Sequence, residues 1–246
     1  MAQLAGKAAM VTGGSRGIGA GIVRTLAQQG ANVGFTYRSR VDAAQTVANE
    51  LKTSGRETIA VQADSGDPVA LAAAVDRIAD KLGRLDIYVS SAGMLLFKPI
   101  EEFTLEDFER IVAVDLRAAF VGSKAALRHM GEGGRIIFIA SNIADYAALP
   151  MTACYAMVKS GLDGLMKGMA RDLGPKGITV NSVHPGPINT DANPEDGPYN
   201  RQLKALMATP RYGRPEDVGG LVAYLASREA QFCSGASYRI DNGFTA

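Results

Sequence analysis

The 246-residue chain has no tryptophan, only two cysteines and only two histidines. Two widely separated cysteines exclude a disulfide scaffold, and no Cys-x-x-Cys pair is present. No group of His, Cys, Asp and Glu has the spacing of metal ligands, so we expect neither a structural nor a catalytic metal site.

Neither sign of charge is in excess, because 26 Lys and Arg stand against 25 Asp and Glu, for a net charge of +1. This balance provides no electrostatic footprint for nucleic acid or for an anionic membrane. No apolar run approaches the roughly 20 residues of a membrane helix, and the apolar stretch 8–11 is too short for a signal-peptide core. We therefore expect a cytoplasmic protein with neither nucleic-acid nor membrane partners.

Short apolar runs alternate with longer segments of helical period, within a chain that is 47% hydrophobic. The runs are apolar nearly throughout, as in parallel strands covered by helices on both faces. Strands are predicted at Ala8–Thr12, Asn32–Tyr37, Thr58–Gln62, Leu85–Val89, Arg135–Ala140, Thr179–Val183 and Ser237–Ile240. Helices are predicted at Gly17–Gln29, Val41–Ser54, Pro68–Leu82, Leu105–Met130, Thr152–Leu173 and Pro215–Ser227. Repeated βα units predict an α/β fold with one doubly wound sheet, and no linker divides residues 1–246 into smaller domains.

One segment interrupts this alternation. Between His184 and Arg214 the chain is rich in Pro, Gly, Asn and Asp, and it has room for one short helix near residues 199–207. A segment of this length exceeds an ordinary loop, which favours a substrate lid at about residues 187–212. The alternative is a long surface loop without a role in binding.

Glycine and polar residues follow the predicted strands where each one ends, and ligands bind at that edge of an open parallel sheet. Gly13, Gly17 and Gly19 form a G-xxx-G-x-G turn between a strand and a helix. Missing side chains allow the backbone to approach a pyrophosphate, which the helix N-terminus attracts. The sequence thus predicts a dinucleotide site, with packing of the glycines as the alternative.

The end of the second strand indicates which dinucleotide binds. An NAD site has Asp or Glu there to bond the ribose 2′-hydroxyl, whereas this chain has Tyr37 followed by Arg38, Ser39 and Arg40, with Arg16 in the glycine turn. Guanidinium groups suit a 2′-phosphate. We therefore expect NADPH/NADP+ as the cofactor, and the alternative is a basic turn exposed to solvent.

Tyr155 and Lys159 are four positions apart, on one face of a predicted helix. A free phenol has a pKa of about 10, and a nearby ammonium lowers it toward the range useful for acid–base catalysis. Ser141 follows the fifth strand and could bond the substrate oxygen that receives the proton. Alone, a Tyr-xxx-Lys pair is common on protein surfaces, and its position after a cofactor turn makes it a candidate site.

Together these residues resemble the short-chain dehydrogenases/reductases along essentially the whole chain. Four motifs carry the resemblance: T-G-xxx-G-x-G beginning at Thr12, a variant of N-N-A-G beginning at Ser90, Y-xxx-K beginning at Tyr155 and P-G-xxx-T beginning at Pro185. Two single residues, Asp64 and Ser141, complete the pattern. It implies a single Rossmann domain with a seven-stranded sheet, hydride transfer at a carbonyl or alcohol, and a homotetramer or homodimer paired through the helices at Leu105–Met130 and Thr152–Leu173.

The resemblance also implies residue roles. Tyr155 would donate the proton, Ser141 would position the carbonyl, and Lys159 would lower the Tyr155 pKa and bind the nicotinamide ribose. Asp64 would contact adenine, and Ile188 and Thr190 the carboxamide and phosphate side. The full set expected to bind the cofactor is Gly13, Ser15, Arg16, Gly17, Ile18, Gly19, Tyr37, Arg38, Ser39, Asp64, Ser65, Ser91, Ala92, Gly93, Tyr155, Lys159, Pro185, Gly186, Ile188 and Thr190.

Two positions depart from the family pattern. Asp115 stands where the family often has an asparagine that anchors a proton-relay water, so we count it with the catalytic residues. Its charge would stabilise the Lys159 cation and oppose the effect of that cation on Tyr155, or it would act as the asparagine does. Ser90 and Ser91 replace the usual asparagine pair, which predicts weakened but retained cofactor binding.

Two functions therefore remain open. The overall pattern is similar to 3-oxoacyl-carrier-protein reductases and bacterial carbonyl reductases, which implies NADPH-dependent reduction of a ketone or aldehyde. The segment from Pro185 to Pro198, with G-G-S-R-G-I-G and F-T-Y, looks closer to a cyclic-di-GMP-binding member of the family involved in biofilm dispersal. The alternative is accordingly a regulatory protein on the same scaffold. For a reductase, the side chains expected to line an apolar pocket are Tyr146, Leu149, Met151, Cys154, Met207 and Tyr212.

Overall fold

A computed structural model describes residues 2–246, and seven parallel strands form its one sheet. The strands are β1 (Ala8–Val11), β2 (Asn32–Tyr37), β3 (Thr58–Gln62), β4 (Ile87–Ser90), β5 (Arg135–Ile139), β6 (Thr179–Pro185) and β7 (Ser237–Ile240). Their spatial order is β3-β2-β1-β4-β5-β6-β7. The order reverses beside β1, and this is the point at which a doubly wound sheet opens a ligand crevice.

The described residues form eight α-helices, six of which pack against the sheet. They are α1 (Gly17–Gln28), α2 (Val41–Thr53), α3 (Pro68–Leu82), α4 (Leu105–Ile111), α5 (Ala118–Ala126), α6 (Ala153–Leu173), α7 (Asn200–Ala205) and α8 (Pro215–Ala226). One apolar core joins α1, α2 and α8 to one face of the sheet, and a second joins α3, α5 and α6 to the other. Helices therefore shield both faces of the sheet from water, which explains why the strands are apolar at nearly every position.

The predicted helix at Leu105–Met130 is wrong as a single regular helix. After α4, residues Val112–Arg117 form a wider π-helical turn, and α5 then ends at Ala126. The extra residue in such a turn rotates the chain, and helical periodicity alone does not reveal it. The turn directs Asp115 into the protein, where its side chain is fully buried.

The segment predicted as a lid is anchored at both ends. Ile188 pairs with Gly213 through a β-bridge, so the residues between them leave and return at one place. Within the segment, Met207 and Tyr212 are buried against Phe244 from the C-terminal end of the chain. Leu203 of α7 and Leu206 after it also pack against this small core, which therefore holds the C-terminal half of the segment.

Candidate active site

The glycine turn is held by two threonine hydroxyls. Thr12 Oγ1 accepts hydrogen bonds from the backbone N–H groups of Ser91 and Ala92, each 2.9 Å long. Thr36 Oγ1 accepts from the Gly13 N–H at 3.2 Å. These bonds join the ends of β1, β2 and β4, so the turn is fixed on three sides. The sequence does not predict this role of Thr36, because nothing in a mainly apolar strand distinguishes one inward hydroxyl.

The turn has the shape of a phosphate cradle. Gly17 has a φ of 52°, and a Cβ on Gly19 would overlap the carbonyl oxygen of Gly13. Ser15 is buried and Ile18 half-buried beside them. Arg16, the residue before α1, gives no side-chain cap, so the first N–H groups of the helix remain open for an anion. The residues present therefore fit a dinucleotide pyrophosphate.

The end of β2 has no carboxylate. Tyr37 is half-buried, while Arg38 and Ser39 are exposed. Within residues 2–246, no carboxylate forms an ion pair with Arg38 or Arg40, so both guanidinium groups remain available to a 2′-phosphate. Arg16 differs from them, since its Nη1 lies 2.7 Å from Asp191 Oδ2 in the lid segment.

The ends of β3 and β4 supply the other side of the crevice. Asp64 Oδ1 accepts from the Gly66 N–H at 2.8 Å, which leaves its second carboxylate oxygen free, and Ser65 is buried next to it. After β4, Gly93 lies so close to the catalytic candidates that a Cβ there would be 2.8 Å from Asp115 Oδ1. A side chain at this position would displace the buried carboxylate.

Tyr155, Lys159 and Asp115 come together as the sequence predicts. Lys159 Nζ lies 2.9 Å from Asp115 Oδ1 and 5.5 Å from the centre of the Tyr155 ring. The same ammonium donates to the Ile139 carbonyl oxygen at 3.2 Å, and Asp115 Oδ2 accepts from the Met94 N–H at 3.1 Å. The wide turn after α4 and the first turns of α6 therefore build one buried ion pair beside the phenol.

Electrostatics keep the proton on Tyr155 at neutral pH. Burial raises the pKa of Tyr155, Lys159 lowers it, Asp115 raises it further, and a hydrogen bond to Ser141 lowers it, with a net pKa above the ordinary value. For Lys159, burial lowers the pKa, but Asp115 and Tyr155 outweigh burial and raise it. The expected effect of Lys159 is present, and burial is the larger influence. The phenol thus retains its proton beside a fixed cation.

Ser141 begins the loop that follows β5. Its Oγ accepts from the Ile143 N–H at 3.3 Å, which starts the 3₁₀ turn at Asn142–Ala144. The hydroxyl hydrogen makes only a long contact, 3.5 Å from Oγ to Asn142 Oδ1, and can be redirected to a substrate oxygen near the phenol. The position at the end of a buried strand gives it little freedom to move.

The end of β6 closes the crevice opposite the glycine turn. Gly186 packs against the backbone of Asp241, after the fully buried Pro185. Ile188 is buried, and the methyl group of Thr190 lies beside Gly17. The lid segment therefore starts directly across from the cradle.

The apolar-pocket prediction needs correction at three positions. Met207 and Tyr212 belong to the small core with Phe244, and Cys154 is buried against Ile111 and Val158. These three side chains pack against residues distant in sequence, and the sequence alone does not indicate those partners.

A different aromatic side chain lies beside the phenol. The ring of Phe97 meets the Tyr155 ring edge-on, with centres 5.4 Å apart, and Phe97 is 43% exposed. Tyr146 and Met151 are also exposed near the loop after Ser141.

Fold and site together define a dinucleotide-dependent oxidoreductase with a Tyr–Lys pair. A family model described as enoyl-(acyl carrier protein) reductase matches residues 13–245. The chain belongs to the short-chain dehydrogenases/reductases. Solved structures of similar proteins hold NADP or NADPH.

Three similar proteins illustrate the range of the family. A cyclic-di-GMP-binding biofilm dispersal mediator protein from Escherichia coli K12 is 45% identical over 246 residues, which is 100% of both chains. Versicolorin reductase stcU from Emericella nidulans is 38% identical, covering 98% of this chain and 96% of its own. A short-chain dehydrogenase from Burkholderia cenocepacia J2315, crystallised with NADP, has 45% identity and a TM-score of 0.98, with 99% of this chain and 100% of its own covered.

Among residues 2–246, no helix combines the length and the apolar character needed to cross a membrane.

Proposed function

We propose that the protein reduces a ketone or aldehyde to an alcohol with NADPH as the hydride source. The observation that carries the proposal is the buried Lys159–Asp115 pair beside a phenol that retains its proton. A protein that only binds nucleotides has no use for this arrangement. The family of the chain supports an oxidoreductase, and the carbonyl substrate is our inference.

In this mechanism each group has a separate role. NADPH, when bound, supplies the hydride that adds to the carbonyl carbon. Tyr155 gives its phenolic proton to the carbonyl oxygen, and Lys159 stabilises the phenolate that remains. Ser141 donates a hydrogen bond to the same oxygen as negative charge develops on it, an interaction that strengthens in the transition state. Asp115 holds the Lys159 ammonium in place.

For the cofactor we propose a division between the two ends of the crevice. The N–H groups that follow Gly17, together with the turn residues, would hold the pyrophosphate, and Arg38 would bind the 2′-phosphate. Asp64 would contact the adenine, while Lys159, Ile188 and Thr190 would hold the nicotinamide end. The remaining residues that would contact the cofactor are Gly13, Ser15, Arg16, Ile18, Gly19, Tyr37, Ser39, Ser65, Ser91, Ala92, Gly93, Tyr155, Pro185 and Gly186.

We infer that the substrate is an apolar, preferably aromatic, carbonyl compound. Phe97 exposes apolar surface next to Tyr155, and the exposed Met151 is held beside this segment by the bond from the Lys98 N–H to its carbonyl oxygen. Such surface binds flat aromatic rings through burial and ring contacts. A relative carries the name versicolorin reductase, which supports a reductase of this general kind.

The test follows NADPH absorbance at 340 nm with a panel of aryl ketones, aldehydes and β-keto esters. We expect consumption of NADPH, slower turnover with NADH, and a loss of about 10²–10⁴-fold in kcat for Tyr155→Phe. Tyr224→Phe, which removes an exposed phenol of α8 outside the proposed site, is the matched control. Tight NADPH binding without turnover on any carbonyl would contradict the proposal.

We also propose that the protein is a homotetramer or homodimer paired through α5 and α6. A groove between these helices is lined mainly by apolar side chains, and Phe120 on its rim is 51% exposed in the single chain. Leu165 and Met169 line the same groove. An apolar helix face of this kind is best buried against a second copy.

A second candidate function is binding of cyclic-di-GMP. It is favoured by the 45% identity, over the whole chain, to a protein with that name. The experiment is a calorimetric titration of the protein with cyclic-di-GMP, with and without saturating NADPH, and with GMP as the control ligand. Saturable binding of the cyclic dinucleotide but not GMP would support this function, and absence of heat would exclude it. Competition with NADPH would locate the binding site in the crevice.

A further inference from the structure

A second polar cluster lies behind the proposed active site. Its centre is His184, which is fully buried at the end of β6. His184 Nδ1 lies 3.0 Å from Asp145 Oδ2, and His184 Nε2 lies 2.9 Å from Asp163 Oδ1. Arg239 of β7 completes the cluster, with its Nε 2.8 Å from Asp145 Oδ2. The loop after Ser141, α6, β6 and β7 therefore each contribute one charged side chain to this cluster.

The geometry determines the charge of this imidazole. A neutral histidine has one N–H and one lone pair, and here a lone pair on either nitrogen would face a carboxylate oxygen. Ser182 Oγ also lies 3.3 Å from Nε2, but its hydrogen is donated to Asp163 Oδ1 at 2.5 Å. Both ring nitrogens therefore donate to carboxylates, which makes His184 an imidazolium. Burial lowers the pKa of His184, but Asp163 and Asp145 outweigh it and raise the pKa above its ordinary value. Burial raises the pKa values of Asp163 and Asp145, but hydrogen bonds from His184 to both, and from Arg239 to Asp145, lower them below the ordinary value.

The cluster is not arranged for a metal ion. Single ligand atoms of Asp145, Asp163 and His184 come within 4.8 Å of one another. However, the two carboxylates contact opposite nitrogens of the ring, and one ion cannot lie on both sides of an imidazole. Arg239 also occupies the Asp145 oxygen that a cation would need. The contacts form a chain of charge-assisted hydrogen bonds.

Both ends of this chain lead to proposed catalytic groups. Asp145 ends the short turn that starts at Ser141, and its N–H donates to the Asn142 carbonyl oxygen at 3.1 Å. Asp163 lies on α6 two turns after Tyr155, on the same side of the helix. The imidazolium therefore bridges the loop that carries the hydroxyl and the helix that carries the phenol.

We propose that His184 is a positioning residue for the reduction, and that its link to Asp145 and Asp163 sets the separation of Ser141 and Tyr155. This inference rests on the reductase function proposed above. Both groups must reach one carbonyl oxygen, and a misplacement of about 1 Å can cost roughly 10²-fold in rate. No side chain of the cluster needs to touch the substrate.

The link depends on pH in a defined direction. The charged groups that face His184 are Asp145 from the loop and Asp163 from α6, while Arg239 from β7 acts through Asp145. Ser182 and Ser237 are the neutral neighbours. With His184 protonated the four charges sum to zero, and deprotonation leaves one negative charge in excess. Because the pKa of His184 is raised, the link is complete below the ordinary histidine value and is lost as pH rises through the raised value.

The first experiment measures the charge of His184 directly. The chain has only two histidines, so nitrogen NMR of ring-labelled protein gives two sets of signals, and a His129→Gln variant assigns them. We expect both His184 nitrogens to carry a proton at neutral pH. We also expect the titration of His184 to move to lower pH in Asp145→Asn and in Asp163→Asn. A neutral ring with one protonated nitrogen at neutral pH would overturn the proposal.

The second experiment measures the consequence for catalysis. The variants are Asp163→Asn and Asp145→Asn. The Asp145 side chain is 25% exposed, so a substitution there disturbs the fold less than one at the fully buried His184. Asp80→Asn on α3 is the control. We expect kcat to fall about tenfold or more in both variants, while NADPH affinity, followed by cofactor fluorescence, stays within about twofold. Unchanged kcat in variants that merely melt earlier would show a structural role only and would overturn the proposal.

The two experiments separate this inference from the function on which it rests. If wild type reduces no carbonyl compound, the proposed function fails, and the positioning role fails with it whatever the NMR result. If wild type is active and His184 is neutral, only the positioning role fails.

Discussion

At the scale of single residues, the charge of Asp115 acts on both Lys159 and Tyr155. Its carboxylate lies against Lys159 and also acts on Tyr155, whose pKa it raises. An asparagine could accept the same hydrogen bond from the Met94 N–H without that charge. The difference between the two side chains is therefore an electrostatic one, and it has a measurable sign.

We predict that Asp115→Asn shifts the pH–rate profile to lower pH. Reduction needs a protonated phenol, so the rate falls as pH rises through the Tyr155 pKa. Removing the carboxylate lowers that pKa, and the fall should begin at lower pH than in wild type. The measurement is kcat for NADPH oxidation between neutral and alkaline pH. Asp80→Asn should leave the profile in place, and coincident profiles for Asp115→Asn and wild type would exclude the electrostatic argument.

A second prediction concerns the ion pair between Arg16 and Asp191. If Arg16 contributes to binding the 2′-phosphate, the Asp191 carboxylate competes with that phosphate, and Asp191→Asn frees the guanidinium. An exposed ion pair is worth about 0.2–1 kcal/mol, so NADPH should bind up to about fivefold tighter. Fluorescence titration with NADPH and NADH checks this, with Asp196→Asn as the control in the same segment. Equal effects on both cofactors would contradict the role of Arg16.

At the scale of elements, short polar contacts decide how each helix begins and turns. Asp67 accepts from the N–H groups of Val69 and Ala70 at 2.9 and 3.0 Å, and Pro68 occupies the first position of α3. The sequence predicts this helix with the bounds that the structure has. The turn at Val112–Arg117 could not be predicted in this way, because its extra residue is stabilised by contacts of Asp115 with Lys159 and Met94, which are far along the chain.

We predict that Asp67→Ala destabilises the protein by about 1 kcal/mol, since two N–H groups of α3 lose their partner. For a chain of this size the melting temperature should fall by roughly 2–4 °C. Calorimetry or circular dichroism measures the shift. Asp67→Asn retains an acceptor oxygen and should recover most of the loss, and equal losses for the two variants would mean that the cap is not the cause.

At the scale of the whole molecule, the sheet brings the ends of distant strands together along one edge. Residues from β1 to β6 line the crevice, and the lid segment starts across from the glycine turn. The opposite surface of α5 and α6 stays apolar, with Phe120 exposed. The crevice and the apolar face lie on different parts of the molecule, so the proposed pairing would leave the crevice open.

We predict that Phe120→Glu reduces the size of the assembly, because burying an unpaired carboxylate in an apolar contact costs several kcal/mol. Size-exclusion chromatography with light scattering measures the mass of the particle. Val69→Glu places the same charge on an exposed site of α3 and should not change it. A wild-type monomer, or an unchanged mass in Phe120→Glu, would contradict pairing through this face.

By itself, the sequence determined the positions of the strands, the parallel sheet, the glycine turn and the absence of a carboxylate after β2. These features depend on local periodicity and on backbone freedom at single positions, such as Gly19, and nearby residues carry that information. Sequence spacing also indicated that Tyr155 and Lys159 share a face.

Tertiary structure alone decided which distant charges meet. The charge of His184 depends on carboxylates from a loop and from a helix, the partner of Arg16 comes from the lid segment, and Met207 and Tyr212 face inward because Phe244 returns to them. Sequence order does not encode the distances between these charges, since they arise only when the strands pair into the sheet and the helices pack on it. Electrostatic energy depends on separations of a few ångströms, and the chemistry of the site was therefore settled by the fold.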